Sequence, residues 1–140
     1  MLGDQRKRIV LIDDHEVVRQ GLEQLLNLGD EFVVCEEAGN AEQGIEMVRE
    51  MQPDAVVVDI ELPGADGIEL TKQLLREFPH LIVIALSGHE EPELAIRAMN
   101  AGALAYVVKS EGIDALLKAL RNAFNRKRSF GVLEKFGRIV

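Results

Sequence analysis

The sequence is poor in cysteine and has no long apolar run. Cys35 is the only cysteine among 140 residues, so no disulfide can form within the chain, which suits a reducing cytoplasm. No apolar stretch approaches the roughly 20 residues that a membrane-spanning helix needs, and the N-terminus lacks the apolar segment of a signal peptide. We therefore predict a cytoplasmic protein with no membrane partner.

The chain also lacks an overall positive charge. Its formal net charge is −8, which argues against nucleic-acid binding by the main body. Residues 126–140 carry a net charge of +4, which leaves −12 for residues 1–125. We predict one domain over residues 1–125 and a tail or linker over residues 126–140. The basic residues 126–128 also suit a solvated helix end, where the helix dipole favours cations.

Short apolar runs alternate with amphipathic stretches along the chain. Apolar residues between the runs recur at helical spacing, as in Val18, Leu22, Leu25 and Leu26. This alternation predicts an α/β fold with a doubly wound, flavodoxin-like parallel sheet of five strands in the order 2-1-3-4-5 and helices on both faces. The predicted strands cover residues 9–12, 32–36, 55–58, 81–86 and 104–108.

Polar residues follow the predicted strands at their carboxyl ends, where doubly wound sheets bind ligands. Asp13 and Asp14 end the first strand, Asp59 the third, Ser87 the fourth and Lys109 the fifth. Three carboxylates at one place raise one another's pKa unless a cation lies among them. Oxygen ligands suit Mg²⁺, and no histidine or cysteine is placed to demand zinc.

A carboxylate beside Mg²⁺ can act as a nucleophile towards a phosphoryl group, with Lys109 as a second cation and Ser87 as a hydroxyl donor. Each residue alone has a simpler interpretation. Asp14 suits a helix N-cap, Asp59 a turn, and Lys109 a solvated surface position. Their joint occurrence at the ends of four strands favours an acceptor site for an acyl phosphate.

Three segments carry a family resemblance. They are residues 9–19 (IVLIDDHEVVR), 55–67 (AVVVDIELPGADG) and 102–110 (GALAYVVKS). Together they make residues 8–125 resemble the receiver domain of two-component response regulators, most like those of regulators with a C-terminal helix-turn-helix domain.

The resemblance implies a role for each matching position. Asp59 is implied as the phosphoacceptor, and Asp13 and Asp14 as the acidic pair that holds Mg²⁺ together with Asp59. Glu61 would contribute its backbone carbonyl to the metal. Ser87 and Lys109 would contact the phosphoryl group. Ser87 and Tyr106 would form a switch, pointing outward at rest and inward after phosphorylation. Glu61 and His89 flank the attack site at positions thought to tune dephosphorylation.

The resemblance further implies a signalling switch rather than an enzyme, since it would catalyse only its own phosphorylation and dephosphorylation. The expected partner is a sensor histidine kinase or a phosphotransfer protein, and a homodimer is expected on phosphorylation. The chain is then the receiver part of a transcriptional regulator. By itself it is not expected to bind DNA, because a helix-turn-helix output domain needs roughly 60 further residues.

Three alternatives stay open at this point. A stand-alone receiver adaptor would have the same motifs without a DNA-binding output. A Mg²⁺-dependent phosphohydrolase would place an Asp-x-Asp pair after the first strand, whereas this chain has Asp13-Asp14-His15. A flavin-binding domain would need a phosphate-binding loop after the first strand, where the two carboxylates would repel phosphate. Turnover of aryl phosphates and an absorbance spectrum separate the last two.

Overall fold

Five β-strands alternate with five α-helices in the computed structural model, which describes residues 5–126. A short 3₁₀ turn, Lys109–Glu111, joins the last strand to the last helix. The tail predicted at residues 126–140 lies outside the described residues apart from Arg126. The elements in chain order are β1 (Lys7–Ile12), α1 (Glu16–Asn27), β2 (Phe32–Ala38), α2 (Ala41–Met51), β3 (Ala55–Asp59), α3 (Gly67–Glu77), β4 (Ile82–Ser87), α4 (Pro92–Asn100), β5 (Ala105–Val108) and α5 (Ile113–Arg126).

The sheet has the predicted topology. All neighbouring strands are parallel, and their order is β2-β1-β3-β4-β5. The chain moves from β1 outward to β2 and then returns to place β3 on the other side of β1, with Ile12 opposite Val58. The switch point of the sheet therefore lies between the carboxyl ends of β1 and β3, which is where such sheets bind ligands.

Alternate strand residues face two separate cores. Ile9 and Leu11 pack with residues of α1 and α5, whereas Val10 and Ile12 pack with residues of α2, α3 and α4. Burial on both faces explains why the central strands are continuous apolar runs rather than alternating ones.

Several boundaries differ from those predicted: β1 begins at Lys7 rather than residue 9, and β3 and β4 each end one residue later, at Asp59 and Ser87. The second strand extends to Ala38 rather than ending near residue 36, because Glu36 and Glu37 still pair with β1 at the edge of the sheet. An edge strand leaves alternate side chains in solvent, so charged residues do not end it. The N-cap of α1 is His15 rather than Asp14, and neither side chain caps the helix.

Gly67 allows α3 to begin close to the end of β3. A Cβ atom at this position would overlap the carbonyl oxygen of Asp59 and the Cα of Ile60, and the Gly67 N–H donates to the Ile60 carbonyl at 3.1 Å. Asp66 caps the helix, because its Oδ1 accepts the Ile68 N–H at 2.8 Å. The loop after Asp59 is thereby held at both ends.

In the described part of the chain, no helix combines the length and the apolar character that crossing a membrane requires.

Candidate functional site

The carboxyl ends of β1 and β3 bring three predicted carboxylates together. Potential ligand atoms of Asp13, Asp14 and Asp59, with a ring nitrogen of His15, all lie within 4.8 Å of one another. Asp13 and Asp59 are buried, with 2% and 0% of their surface exposed. The geometric condition for a shared cation, convergence of side chains from two neighbouring strands, is therefore met.

Lys109 lies between the two buried carboxylates. Its Nζ is 3.1 Å from Oδ2 of Asp13 and 3.1 Å from Oδ2 of Asp59. Burial lowers the pKa of the Lys109 ammonium, but the hydrogen bonds and charges of the two carboxylates outweigh it, so the net shift is upward. The two carboxylates therefore stabilise the charged form of Lys109.

Asp59 remains poorly stabilised as an anion despite these contacts. Burial raises the pKa of the Asp59 carboxyl, and the charge of Asp13 raises it further. The Glu61 N–H, which donates to Asp59 Oδ1 at 2.8 Å, and Lys109 oppose the shift without cancelling it. A further positive charge at this place would stabilise the ionised form.

The oxygens that face this space fit a hard divalent cation. Asp13 Oδ2 and Asp14 Oδ1 are buried, and among the described residues they face Lys109 Nζ at 3.1 Å and His15 Nδ1 at 3.3 Å but accept no backbone N–H. Buried carboxylate oxygens with so few donors are costly unless more positive charge neutralises them. An oxygen-rich set of this kind suits Mg²⁺.

His15 lies beside this site, although the sequence analysis predicted no histidine among its residues. Its Nδ1 is 3.2 Å from Asp13 Oδ1 and 3.3 Å from Asp14 Oδ1, although the ring is mostly exposed. Its position directly after two acidic residues was the available signal. One exposed histidine beside three carboxylates is not the nitrogen- and sulfur-rich set that zinc prefers.

A second group of polar residues lies between the loop after β3 and the loop after β4. Oε1 of Glu61 accepts hydrogen bonds from the Ser87 hydroxyl at 3.0 Å and from the Gly88 N–H at 2.8 Å. Oε2 of Glu61 is 2.7 Å from His89 Nε2. Burial raises the pKa of the Glu61 carboxyl, but these contacts more than reverse the effect, so its pKa is lowered. Sequence reasoning assigned this residue only a backbone carbonyl and a tuning position.

Ser87 and Tyr106 are both buried, which differs from the outward orientation expected for the resting switch. Ser87 is fully buried, and Tyr106 is 3% exposed. The Tyr106 hydroxyl donates to the His89 carbonyl at 2.6 Å. The Ser87 hydroxyl donates to Glu61 Oε1, and Ser87 Oγ accepts the His89 N–H at 3.0 Å, so hydrogen bonds connect the loop after β4 to the loop after β3.

The chain matches known proteins over nearly its whole described length. A family model for the response regulator receiver domain matches residues 9–121. The chain is 35% identical over 121 residues to the response regulator GacA of Pseudomonas viridiflava, covering 86% of this chain and 56% of that protein. It is 37% identical over 126 residues to the nitrate/nitrite response regulator protein NarL of Escherichia coli K12, covering 88% and 57%. The chain thus spans little more than half the length of these relatives.

Solved structures give the same result. A LuxR-family two-component response regulator from an Aurantimonas species superposes with a TM-score of 0.80 at 34% identity, with 84% of each chain covered. The response regulator domain of Thermotoga maritima CheB superposes with a TM-score of 0.79 at 27% identity, covering 86% of this chain and 98% of that one.

Proposed function

Because this chain belongs to the response regulator receiver domain family, we propose that it is a phosphorylation-dependent signalling switch whose acceptor is Asp59. The observation that carries the proposal is the position of the Asp59 carboxylate. It is fully buried, 3.1 Å from Lys109 and close to Asp13 and Asp14 at the switch point of the sheet. Phosphoryl transfer requires mainly alignment and charge neutralisation, and these residues supply both.

Each residue has a defined task in the transfer. An oxygen of the Asp59 carboxylate forms the new bond to phosphorus, while the bond from phosphorus to the donor breaks and the donor keeps the electron pair. Lys109 neutralises charge on the Asp59 side. The Ser87 hydroxyl donates to a phosphoryl oxygen. Asp13, Asp14, Asp59 and the backbone carbonyl of Glu61 would hold Mg²⁺, which supplies positive charge to the acceptor and phosphoryl oxygens when bound.

The donor is a phosphorylated histidine of a sensor kinase or phosphotransfer protein. The receiver is not a turnover enzyme for other substrates, since the acceptor is part of its own chain. Phosphorylation acts on the partner-binding face through the Ser87 hydroxyl and the loop after β4, whose His89 carbonyl binds Tyr106, and the modified receiver pairs with a second copy. The relatives are response regulators about one and a half times as long as this chain, and we propose a cytoplasmic receiver of a transcriptional regulator of that kind, whose DNA contacts lie outside residues 1–125.

The central chemistry is testable with a small phosphodonor. The protein is incubated with acetyl phosphate, with and without Mg²⁺, and its intact mass is measured. We expect a base-labile phosphoryl adduct that requires Mg²⁺ and is absent from Asp59→Asn. Asp30→Asn removes one exposed carboxylate elsewhere and should keep the adduct. An adduct that survives in Asp59→Asn would move the acceptor to another residue and refute the assignment.

The switch role of Ser87 has a separate test. A Ser87→Ala variant should still accept the phosphoryl group on Asp59, because the attacking carboxylate and Lys109 are unchanged. Its phosphorylation-dependent pairing, measured by analytical ultracentrifugation, should weaken because the phosphoryl group then lacks the hydroxyl that joins it to the loop after β4. Pairing equal to wild type at the same degree of phosphorylation would exclude this role.

A further inference from the structure

The Glu61 carboxylate holds the Ser87 hydroxyl, the donor that the proposed function reserves for the phosphoryl group. Its Oε1 accepts from both the Ser87 hydroxyl and the Gly88 N–H, and its Oε2 lies against His89. A carboxylate oxygen with two donors resembles a phosphoryl oxygen in charge and in hydrogen-bonding capacity. The Glu61 side chain therefore presents a negatively charged group to the loop after β4.

These donors cannot serve two anions at once. A serine hydroxyl has one proton to donate, and a backbone amide also has one. When Ser87 bonds a phosphoryl oxygen, Glu61 must release it. Since 39% of the Glu61 side chain is exposed, the carboxylate can turn to solvent without a large desolvation cost.

The same contacts connect Glu61 to Tyr106. Ser87 Oγ donates to Glu61 and accepts the His89 N–H at 3.0 Å, so it ties His89 to the end of β4. The His89 carbonyl in turn accepts the Tyr106 hydroxyl at 2.6 Å. The buried position of Tyr106 therefore depends, through Ser87 and His89, on an anion that receives the Ser87 hydroxyl.

We infer that Glu61 is a positioning residue that substitutes for the phosphoryl group, holding Ser87, residues 87–89 and Tyr106 in the inward arrangement before Asp59 is modified. The inference rests on the proposed function, since it assigns to Glu61 the Ser87 hydrogen bond proposed there for the phosphoryl group. It means that phosphorylation replaces one anion with another at the Ser87 hydroxyl. Without Glu61, the inward arrangement would require phosphorylation.

Tyr106 gives a direct measurement, because it is the only tyrosine and the chain has no tryptophan. Acrylamide quenching of tyrosine fluorescence is measured on the whole chain in wild type, Glu61→Ala and Glu61→Gln, before and after phosphorylation by acetyl phosphate with Mg²⁺. Glu91→Gln is the matched control. It removes a carboxylate 3.7 Å from His89 Nδ1 that accepts no hydrogen bond from Ser87 or Gly88 among the described residues.

We expect wild type and Glu91→Gln to shield Tyr106 equally with and without the phosphodonor. In Glu61→Ala the ratio of inward to outward Tyr106 should fall by roughly tenfold or more, the factor that a hydrogen bond to a charged group represents. Phosphorylation should restore the shielding. Glu61→Gln keeps the side-chain volume and one acceptor oxygen, and its shielding should be intermediate. A merely structural defect would not be reversed by phosphorylation.

Intact mass on the same samples separates the two hypotheses. If wild type forms no adduct, the proposed function is refuted. The role of Glu61 is then decided by comparing tyrosine quenching in unphosphorylated wild type and the Glu61 variants. Unchanged quenching in both Glu61 variants would overturn the inference even if the adduct forms. So would increased quenching in Glu61→Ala that persists in the fully phosphorylated protein. Glu61→Gln keeps the test decisive if Glu61→Ala fails to fold.

Discussion

Replacing Asp59 with asparagine should stabilise the fold in metal-free buffer, although it removes the proposed acceptor. Ligand atoms of Asp13, Asp14 and Asp59 lie within 4.8 Å of one another. At an effective dielectric constant of about 20, two like charges at that separation repel by about 3.5 kcal/mol. The Asp59 charge therefore meets about 7 kcal/mol of repulsion from the two other carboxylates.

Lys109 opposes this repulsion without cancelling it. Its Nζ lies 3.1 Å from Asp59 Oδ2, which corresponds to about 5 kcal/mol of attraction on the same scale. The balance of about 2 kcal/mol favours a neutral side chain, and the burial that raises the pKa of Asp59 acts in the same direction. Asparagine keeps an oxygen for the Glu61 N–H, which is 2.8 Å from Asp59 Oδ1. We expect a net gain of about 1–2 kcal/mol after weaker hydrogen bonding is deducted.

Thermal unfolding followed by circular dichroism in a buffer with EDTA measures the effect. Asp59→Asn should melt about 3–8 °C above wild type, given the size of the domain. Asp30→Asn controls for the change in net charge, because Asp30 is exposed and its replacement should alter stability by less than about 0.5 kcal/mol. Adding Mg²⁺ should stabilise wild type more than Asp59→Asn, since a ligand stabilises the folded state that binds it better.

An Asp59→Asn variant that melts at or below wild type in EDTA would refute this reasoning. It would mean that Lys109 already balances the three carboxylates, and the electrostatic case for a divalent cation would be lost. A gap that is unchanged by Mg²⁺ would refute the cation site separately, because the repulsion would then exist without the ion that relieves it.

Three further changes have defined outcomes. Lys109→Met should destabilise the fold by about 2 kcal/mol in urea denaturation, because it leaves buried carboxylates unpaired at a site that solvent partly screens; unchanged stability would contradict the ion pairs. Gly67→Ala should cost about 1–3 kcal/mol and slow acetyl phosphate labelling, because its Cβ overlaps the backbone at Asp59. Gly21→Ala is its control, with open space around the Cβ inside a helix, and should stabilise by about 0.5–1 kcal/mol. Asn40→Ala should lower the free energy of unfolding by about 1 kcal/mol, because the α2 cap is lost. A melting temperature equal to that of wild type would show that the cap does not stabilise the fold.

The sheet was predictable because burial on both faces leaves a simple record in the sequence. Each central strand is an apolar run, and each run ends at the polar residue that reaches the edge of the sheet. The predicted strand β2 was too short. It is the edge strand of the sheet, where charged side chains can reach solvent, so Glu36 and Glu37 continue the pairing with β1. The spacing of apolar residues predicts strands from their buried side chains. Glu36 and Glu37 are charged, so their sequence gives no indication that the strand continues through them.

The strand-end residues Asp13, Asp59 and Lys109 could be predicted as neighbours because parallel strands place their carboxyl ends at one edge. The first helix start could not be predicted in the same way. An aspartate before a helix suits an N-cap, but Asp14 lies among the carboxylates and the cap position passes to His15. A local propensity was overridden by a contact between strands, which a single sequence does not record.

The side-chain contacts of Glu61 could not be predicted from the strand order. Its backbone position follows from Asp59, but its side chain leaves a loop, and the identity of its partners depends on the path of a second loop 26 residues later. One carboxylate oxygen of Glu61 accepts both the Ser87 hydroxyl and the Gly88 N–H because the two loops meet in space, which strand order does not specify. A switch is defined by the difference in contacts between its two states. If an anion of the chain already makes those contacts, the free energy that phosphorylation can contribute through Ser87 is reduced by the same amount. The residue two places after the acceptor would then set how far this receiver responds, even though it never bonds to phosphorus.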